Sequence, residues 1–279
     1  MDFTIEKYQE LLEALKGHKR YIIRHDVDLR PEYALRIAQT EAEAGMQAIY
    51  YFREMHFDSH ADTIKAIVAL GHRAGYHYEC LTTCKGNLEA AYEDFCRNLE
   101  RLRAIVPVST ACAHGSPRSP WNSQELFMGQ RVNESTSQQV YRSTGQQVYK
   151  STGLQVNEST RFMDIHSWGI DYEPMLDTDF SKTLYLTDTG RRWDGYTVSV
   201  RDKVPQYQEQ WAKEGLTFHS TDDIIHALND IHHPIHQKEL LINTHPQRWM
   251  PFGPQWLLEA TLQNCKNIAK RVIVSLNQK

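Results

Sequence analysis

The chain lacks long apolar runs. No stretch of its 279 residues approaches 18 consecutive apolar side chains, the length that a membrane-spanning helix requires. Residues 1–7 mix charged and apolar side chains and do not contain the apolar stretch of a secretion signal. Together these features predict a cytoplasmic protein that does not insert into a membrane.

An excess of one charge sign and paired cysteines are lacking as well. The net charge is −4 with 24% charged residues, which gives no indication of a nucleic-acid partner. The five cysteines are odd in number, and their spacing is typical neither of a disulfide framework nor of a thiolate zinc site. This usage fits a reducing compartment.

Strand-like and helix-like segments alternate along most of the chain. Strands are predicted at 20–25, 47–53, 72–78, 108–113, 183–187, 196–200 and 238–243, and helices at 5–17, 31–45, 61–70, 87–105, 222–229 and 254–270. Alternation of this kind predicts an α/β fold with a parallel sheet. The repeated count of such units favours closure into a (β/α) barrel, rather than an open sheet, and we predict a single domain that comprises residues 1–279.

Residues 132–163 interrupt the alternation. They divide into four eight-residue repeats that begin at Val132, Val140, Val148 and Val156, and each repeat contains a Ser-Thr pair. One repeat has too few apolar residues to bury a core of its own. We therefore predict an inserted loop; a flap that binds substrate or mediates oligomerisation is the functional alternative.

Titratable side chains follow several of the predicted strands. Aspartates, histidines and a glutamate stand at these ends, namely Asp26, Asp28, His77, Glu79, His114, Asp188 and His245. In parallel barrels the carboxyl ends of the strands gather the reactive groups. Solvated charges at loop starts explain one such end easily, but four or more favour a shared site.

Aspartate oxygens and histidine nitrogens are ligands for a divalent metal. A catalytic metal site keeps one coordination position for water, and Zn²⁺ is the usual ion for this ligand set. Such an ion lowers the pKa of bound water and polarises a carbonyl. The set therefore predicts metal-dependent hydrolysis of an amide or an ester.

Four short motifs carry a family resemblance. They are Arg24-His-Asp-Val-Asp28, Gly71-His-Arg-Ala-Gly-Tyr-His-Tyr-Glu79, His114-Gly-Ser-Pro117 and Leu241-Ile-Asn-Thr-His-Pro246. In their order and spacing, the chain resembles the polysaccharide deacetylase superfamily (NodB homology, carbohydrate esterase 4-like), in its branch with a His-Asp-Val-Asp first motif. The resemblance covers residues 1–128 and 164–250 and leaves out the repeats.

The resemblance implies a distorted (β/α) barrel of about seven strands and metal-dependent removal of acetyl groups from N-acetylated sugars. It implies Asp26 as the base, Asp28 and His77 as metal ligands, and His245 as the general acid. The family's second histidine would fall at Leu81, which cannot bind metal. The third ligand is then His114, at the end of a neighbouring strand, or alternatively Glu79.

A polar segment at 184–194 is a candidate for substrate binding. Asp188 adds a carboxylate, Arg191 a guanidinium that can pair with carboxylate or phosphate, and Trp193 an indole that can stack on a sugar ring. This set would suit a carbohydrate or nucleotide-sugar substrate. A surface loop anchored by one tryptophan is the alternative.

The sequence thus predicts a metal-dependent deacetylase that acts on an N-acetylated sugar or sugar conjugate. One rival is a catalytically degenerate barrel that binds carbohydrate, because the family's second histidine is missing. A different metal-dependent amide or phosphoester hydrolase is the other. The sequence leaves the oligomeric state open.

Overall fold

The structure is a computed structural model that describes residues 1–116, 119–128, 164–197, 199 and 201–277. The repeats at 132–163 lie outside the described residues, so the predicted inserted loop stays a prediction. None of the helices in the described ranges has the length and apolar character needed to span a membrane.

Strands and helices alternate as the sequence predicts. The strands are β1 (Tyr21–Val27), β2 (Ile49–Phe52), β3 (Arg73–Tyr78), β4 (Val108–Ala113), β5 (Thr183–Thr187) and β6 (Glu239–Thr244). The helices are α1 (Ile5–Leu15), α2 (Pro31–Glu43), α3 (Ala61–Ala69), α4 (Cys80–Thr83), α5 (Leu88–Arg103), α6 (Pro174–Asp177), α7 (Pro205–Lys213), α8 (Thr221–Asn229) and α9 (Pro254–Asn277).

The six strands form one parallel sheet in the order β4-β3-β2-β1-β6-β5. Parallel sheets are covered on both faces, and their strands are correspondingly apolar. Every residue of β2 and of β5 is buried, as are the last five residues of β1 and of β6. The pairing of β1 with β6 sets Arg24 opposite Asn243 and His25 opposite Thr244, which fixes the polar groups around the end of β1.

The described residues contain six strands, and the predicted strand at 196–200 is wrong where the structure describes it. Residues Gly195–Thr197 form a short 3-10 turn instead, and the Ser199 amide donates to the Gly195 carbonyl at 2.7 Å. A Cβ on Gly195 would lie 2.4 Å from the Thr189 carbonyl oxygen. This close backbone approach bends the chain, and barrel closure with a seventh strand stays a prediction.

Contacts divide the chain into two compact units. The first comprises residues 1–50, 60–73 and 179–279, and the second residues 51–59 and 74–178. The first unit buries the apolar face of α1 (Leu11, Leu12 and Leu15). An aromatic cluster forms the core of the second unit, in which Phe95 stacks on Trp168 with ring centroids 4.9 Å apart.

Candidate active site

Asp26 lies at the end of β1 in the first unit and is 6% exposed. Its Oδ2 accepts hydrogen bonds from Arg24 Nη2 at 3.2 Å and from Asn243 Nδ2 at 2.9 Å. The same two donors reach the Tyr185 hydroxyl oxygen at 3.2 and 3.1 Å, and Tyr185 donates its proton to Asp202. Burial keeps the pKa of Tyr185 well above its usual range, so Tyr185 retains its proton. This network holds the Asp26 carboxylate in one orientation.

His245 follows β6 and pairs with a buried carboxylate. Its Nδ1 lies 2.6 Å from Asp188 Oδ1, and its backbone amide donates to Asp188 Oδ2 at 3.0 Å. Because an ionised carboxylate only accepts hydrogen bonds, the proton of the ring belongs on Nδ1. Arg248 Nη1 donates to the same Asp188 Oδ1 at 2.5 Å. Arg248 Nη1 also lies 2.7 Å from His245 Nδ1, because both nitrogens donate to this one oxygen.

Asp188 is fully buried and remains ionised. Burial raises the pKa of its carboxyl, but the charges of Arg248 and His245 and the hydrogen bonds from His245 lower the pKa to about 2. Trp249 Nε1 also donates to Oδ2, at 2.8 Å. Through these contacts Asp188 orients His245. The predicted contact of Asp188 with a substrate stays a prediction, and this packing does not support it.

Asp28 lies just beyond β1, where its amide donates to the Asp26 carbonyl at 3.0 Å in a tight turn. Its Oδ2 is 3.7 Å from His245 Nε2, beyond ordinary hydrogen-bond distance. The side chain of Asp28 is 22% exposed and that of His245 is 7% exposed. The turn after β1 and the end of β6 thus bring two of the predicted site residues together.

In the second unit, His77 is buried on β3. The strand pairs in parallel with β4 and sets His77 opposite Cys112, and His77 Nδ1 lies 3.0 Å from the Cys112 carbonyl oxygen. A carbonyl oxygen accepts hydrogen bonds only, so Nδ1 carries the proton and Nε2 the lone pair. Histidines that bind metals show this arrangement, because the outer hydrogen bond fixes the ring and its tautomer.

His114 follows β4 in the same unit and pairs with Glu79. Its Nδ1 lies 2.9 Å from Glu79 Oε2, which also accepts from Ser116 Oγ at 2.9 Å, while Arg53 bonds the other oxygen of Glu79. Burial raises the pKa of the Glu79 carboxyl, but the hydrogen bond and charge of His114, with Arg53, lower it to about 2. Because the ionised Glu79 only accepts hydrogen bonds, Nδ1 of His114 carries the ring proton and Nε2 carries the lone pair, as in His77.

Asp, His and Cys side chains of the described residues could hold a metal ion. Asp28, His77 and His114 are among them, and the sequence predicts all three as ligands. Carboxylate oxygen and imidazole nitrogen are donors that Zn²⁺ accepts, so the donor chemistry fits the predicted ion.

Arg191 and Trp193 occupy packed positions in the first unit. Trp193 is 5% exposed, stacks on Phe3, and donates from Nε1 to Thr221 Oγ1 at 2.9 Å. The Arg191 guanidinium lies over the Trp256 ring at 4.6 Å and donates to the Arg248 carbonyl at 3.2 Å. These contacts favour the structural alternative, and substrate binding by either residue stays a prediction.

Sequence analysis missed the residues that orient the predicted ones. Asn243 stands within an apolar strand, and Tyr185 and Arg248 read as ordinary polar and charged positions. The only signal was a polar amide inside the buried run Leu240–Asn243, because a buried polar group requires a partner. The structure supplies that partner as Asp26.

Comparisons with protein-family models, with curated proteins and with solved structures found no match.

Proposed function

We propose that this chain is a metal-dependent hydrolase that removes the acetyl group from an N-acetylated sugar or sugar conjugate. The assignment is the one that the motifs imply through their resemblance to the polysaccharide deacetylases. One structural observation supports it most strongly: His77 and His114 both hold Nδ1 against an oxygen acceptor. Two histidines prepared in the same way for coordination through Nε2 are expected at a metal centre.

In this proposal Asp28, His77 and His114 hold a divalent ion, with Zn²⁺ as the expected metal. Glu79, the alternative third ligand, already accepts hydrogen bonds from His114, Ser116 and Arg53. We therefore propose that Glu79 orients His114. When bound, the ion would lower the pKa of water and polarise the acetyl carbonyl.

Asp26 acts as the general base in the proposed reaction. Arg24 and Asn243 hold its Oδ2, and both donors favour the ionised carboxylate. An ionised and fixed carboxylate is what a base needs to receive the proton of the attacking water. Tyr185 and Asp202 lie behind these donors and keep them in place.

His245 acts as the general acid and protonates the amine nitrogen as the amide bond breaks. Asp188 holds Nδ1–H, so that Nε2 is the nitrogen that gains and releases the catalytic proton, and the buried negative charge stabilises the imidazolium. The reaction yields acetate and a free amine. One mole of acetate per amine is its measurable signature.

The test measures acetate release from N-acetyl sugars, free and nucleotide-linked, together with the metal content of the protein. We expect acetate release that chelation abolishes and Zn²⁺ restores. Asp28→Ala should lose both metal and activity, whereas Asp26→Asn should keep the metal and lose activity, because only the base is removed. Full turnover by Asp26→Asn would refute the assignment of the base.

The same experiment separates the rival functions. A protein that neither contains nor takes up metal, yet binds sugars, would be the carbohydrate-binding barrel. A metalloprotein that releases no acetate but hydrolyses cyclic amides or phosphoesters would be the other hydrolase. His226→Ala serves as a matched control, because its imidazole lies on α8 and takes no part in the contacts described above.

A further inference from the structure

The C-terminal helix α9 is oriented with polar side chains inward. Gln263 and Asn267 are only 6% and 5% exposed. Gln263 Nε2 donates to Asn267 Oδ1 at 2.9 Å, and Asn267 Nδ2 donates to the Gly190 carbonyl at 2.8 Å. The helix therefore attaches to the first unit by hydrogen bonds from one of its faces.

The opposite face of α9 exposes large apolar side chains. Leu258 is 61% exposed, Leu262 47% and Ile268 64%. Residues of an α-helix follow one another by about 100°, so Cys265, two positions after the buried Gln263, points about 200° away from it. A surface helix normally shows the reverse arrangement, and a contiguous exposed apolar face indicates an interaction site.

The spacing of these apolar residues indicates what covers them. Leu258, Leu262 and Cys265 follow one another by four and three residues, and the sequence continues the same spacing at Ala269, Val272 and Leu276. Alternating steps of three and four are the a/d repeat of a coiled coil. A seam of this kind is complementary to another helix with the same repeat, and a second copy of this chain provides one.

The charges beside the seam point to the same partner. Leu262 and Ala269 occupy a positions and Leu258 and Cys265 d positions, so Glu259 and Lys266 both occupy e positions. Residues at e positions face each other when two helices pack antiparallel. Two copies would then place each Glu259 beside the Lys266 of the other copy, which forms two identical ion pairs across a twofold axis.

We propose that the chain forms a homodimer through an antiparallel pairing of α9, along the seam of Leu258, Leu262 and Cys265. The dimer covers the apolar face that the first unit leaves exposed. This inference is independent of the proposed function, because none of the α9 residues named above contacts the residues assigned to catalysis or metal binding.

Sedimentation velocity and light scattering over a range of concentrations test the proposal on the full chain. We expect a species of twice the 32.5 kDa chain mass. Leu258→Glu combined with Leu262→Glu should weaken dimerisation by about 30-fold or more, as loss of central interface residues does. Both leucines are exposed, so circular dichroism and thermal unfolding should stay unchanged. A wild-type protein that stays monomeric at its highest soluble concentration would overturn the proposal.

Two further variants test the geometry. Asn264→Glu adds one negative charge at an exposed position outside the seam and should leave the dimer intact. Glu259→Lys should weaken the dimer about two- to five-fold, as an exposed ion pair does, and the added Lys266→Glu exchange should restore it. Dimerisation that survives the double leucine variant, or a charge exchange that fails to restore it, would refute this pairing.

Discussion

Two buried carboxylate–histidine pairs in the first unit show how the same chemistry takes different roles. Glu41 on α2 bonds His25 Nε2 at 2.8 Å, and Asp188 bonds His245 Nδ1 at 2.6 Å. Both carboxylates are completely buried, which raises their pKa values, but His25 lowers the pKa of Glu41 below its usual range, and Arg248 together with His245 does the same for Asp188. The pairs differ in what the second ring nitrogen of the histidine faces.

The Glu41–His25 pair is closed on all sides. His25 Nδ1 lies 2.7 Å from Thr244 Oγ1, and the hydroxyls of Tyr8 and Tyr50 donate to the two oxygens of Glu41, each at 2.5 Å. Tyr50 also stacks on the His25 ring. Every strong polar atom of this pair thus has a partner inside the protein, which makes it a structural cluster that ties α1, α2, β1, β2 and β6 together.

The Asp188–His245 pair is open at one end. Asp188 is saturated by donors, but His245 Nε2 lies 3.7 Å from Asp28 and is not held by a short bond to that carboxylate. A histidine with one nitrogen fixed by a carboxylate and the other directed at a second carboxylate can exchange a proton. The surroundings of the second ring nitrogen, rather than the pairing itself, thus distinguish His245, which we propose as the general acid, from the structural His25.

The largest effect should come from His245→Ala. Loss of a general acid lowers turnover by about 10²- to 10⁴-fold, whereas stability should change little, because Asp188 keeps Arg248 and Trp249. Acetate release and thermal unfolding measure the two quantities. A variant that unfolds at a markedly lower temperature but retains its specific activity when folded would make His245 a structural residue like His25.

Next in size is the loss of stability in Glu41→Ala. Removal of this buried carboxylate should cost about 3 to 5 kcal/mol, because His25, Tyr8 and Tyr50 lose their common acceptor. Urea unfolding measures the change, and Glu43→Ala, exposed on the same helix, is the control. If Glu41→Ala matched this control in stability, the closed cluster would not hold the fold.

A smaller effect should appear in acid. The pKa of Asp188 is about 2 in the folded state and about 3.9 in an unfolded chain. A lowered pKa stabilises the fold above the unfolded value, and this stabilisation, about 2 to 3 kcal/mol, is lost as the pH falls from 4 to 2. Asp188→Asn should flatten stability over this window, whereas Asp62→Asn, at an exposed position of α3, should not. Equal acid sensitivity of the two variants would contradict the contacts described for Asp188.

The smallest effect concerns a single hydroxyl of the closed cluster. Tyr50→Phe removes one hydrogen bond to the Glu41 carboxylate and should lower the free energy of unfolding by about 1.5 to 3 kcal/mol. The ring and its stacking on His25 remain. The double variant Tyr50→Phe, Tyr8→Phe should lose more unfolding free energy than the two single variants added together, because Glu41 would keep only His25 among the hydrogen-bond partners described above. Strict additivity of the two losses would mean that the two hydroxyls act independently.

Much of the fold follows from local patterns. Thr4 accepts from the Lys7 amide and begins α1 where the capping residue predicts it, and Ser220 caps α8 with a reciprocal bond from Asp223. Short apolar runs predict both ends of each strand from β1 to β6 to within about two residues; the largest differences include the two-residue extension of β1 through Val27. The interpretation failed at 196–200, where the turn depends on the approach of Gly195 to Thr189, a contact that no local pattern encodes.

The sequence by itself determined the α/β alternation, the parallel sheet and the set of titratable residues that follow the strands, because strand length, helical periodicity and capping act over a few neighbouring residues. Only the tertiary structure decided which carboxylate orients which histidine. Asp188 and His245 are 57 residues apart along the chain, and His25 and Glu41 pair through helix packing. Such distant contacts arise from burial and the register of β1 with β6. They decide whether the second ring nitrogen of a histidine is enclosed in the core, as in His25, or open, as in His245.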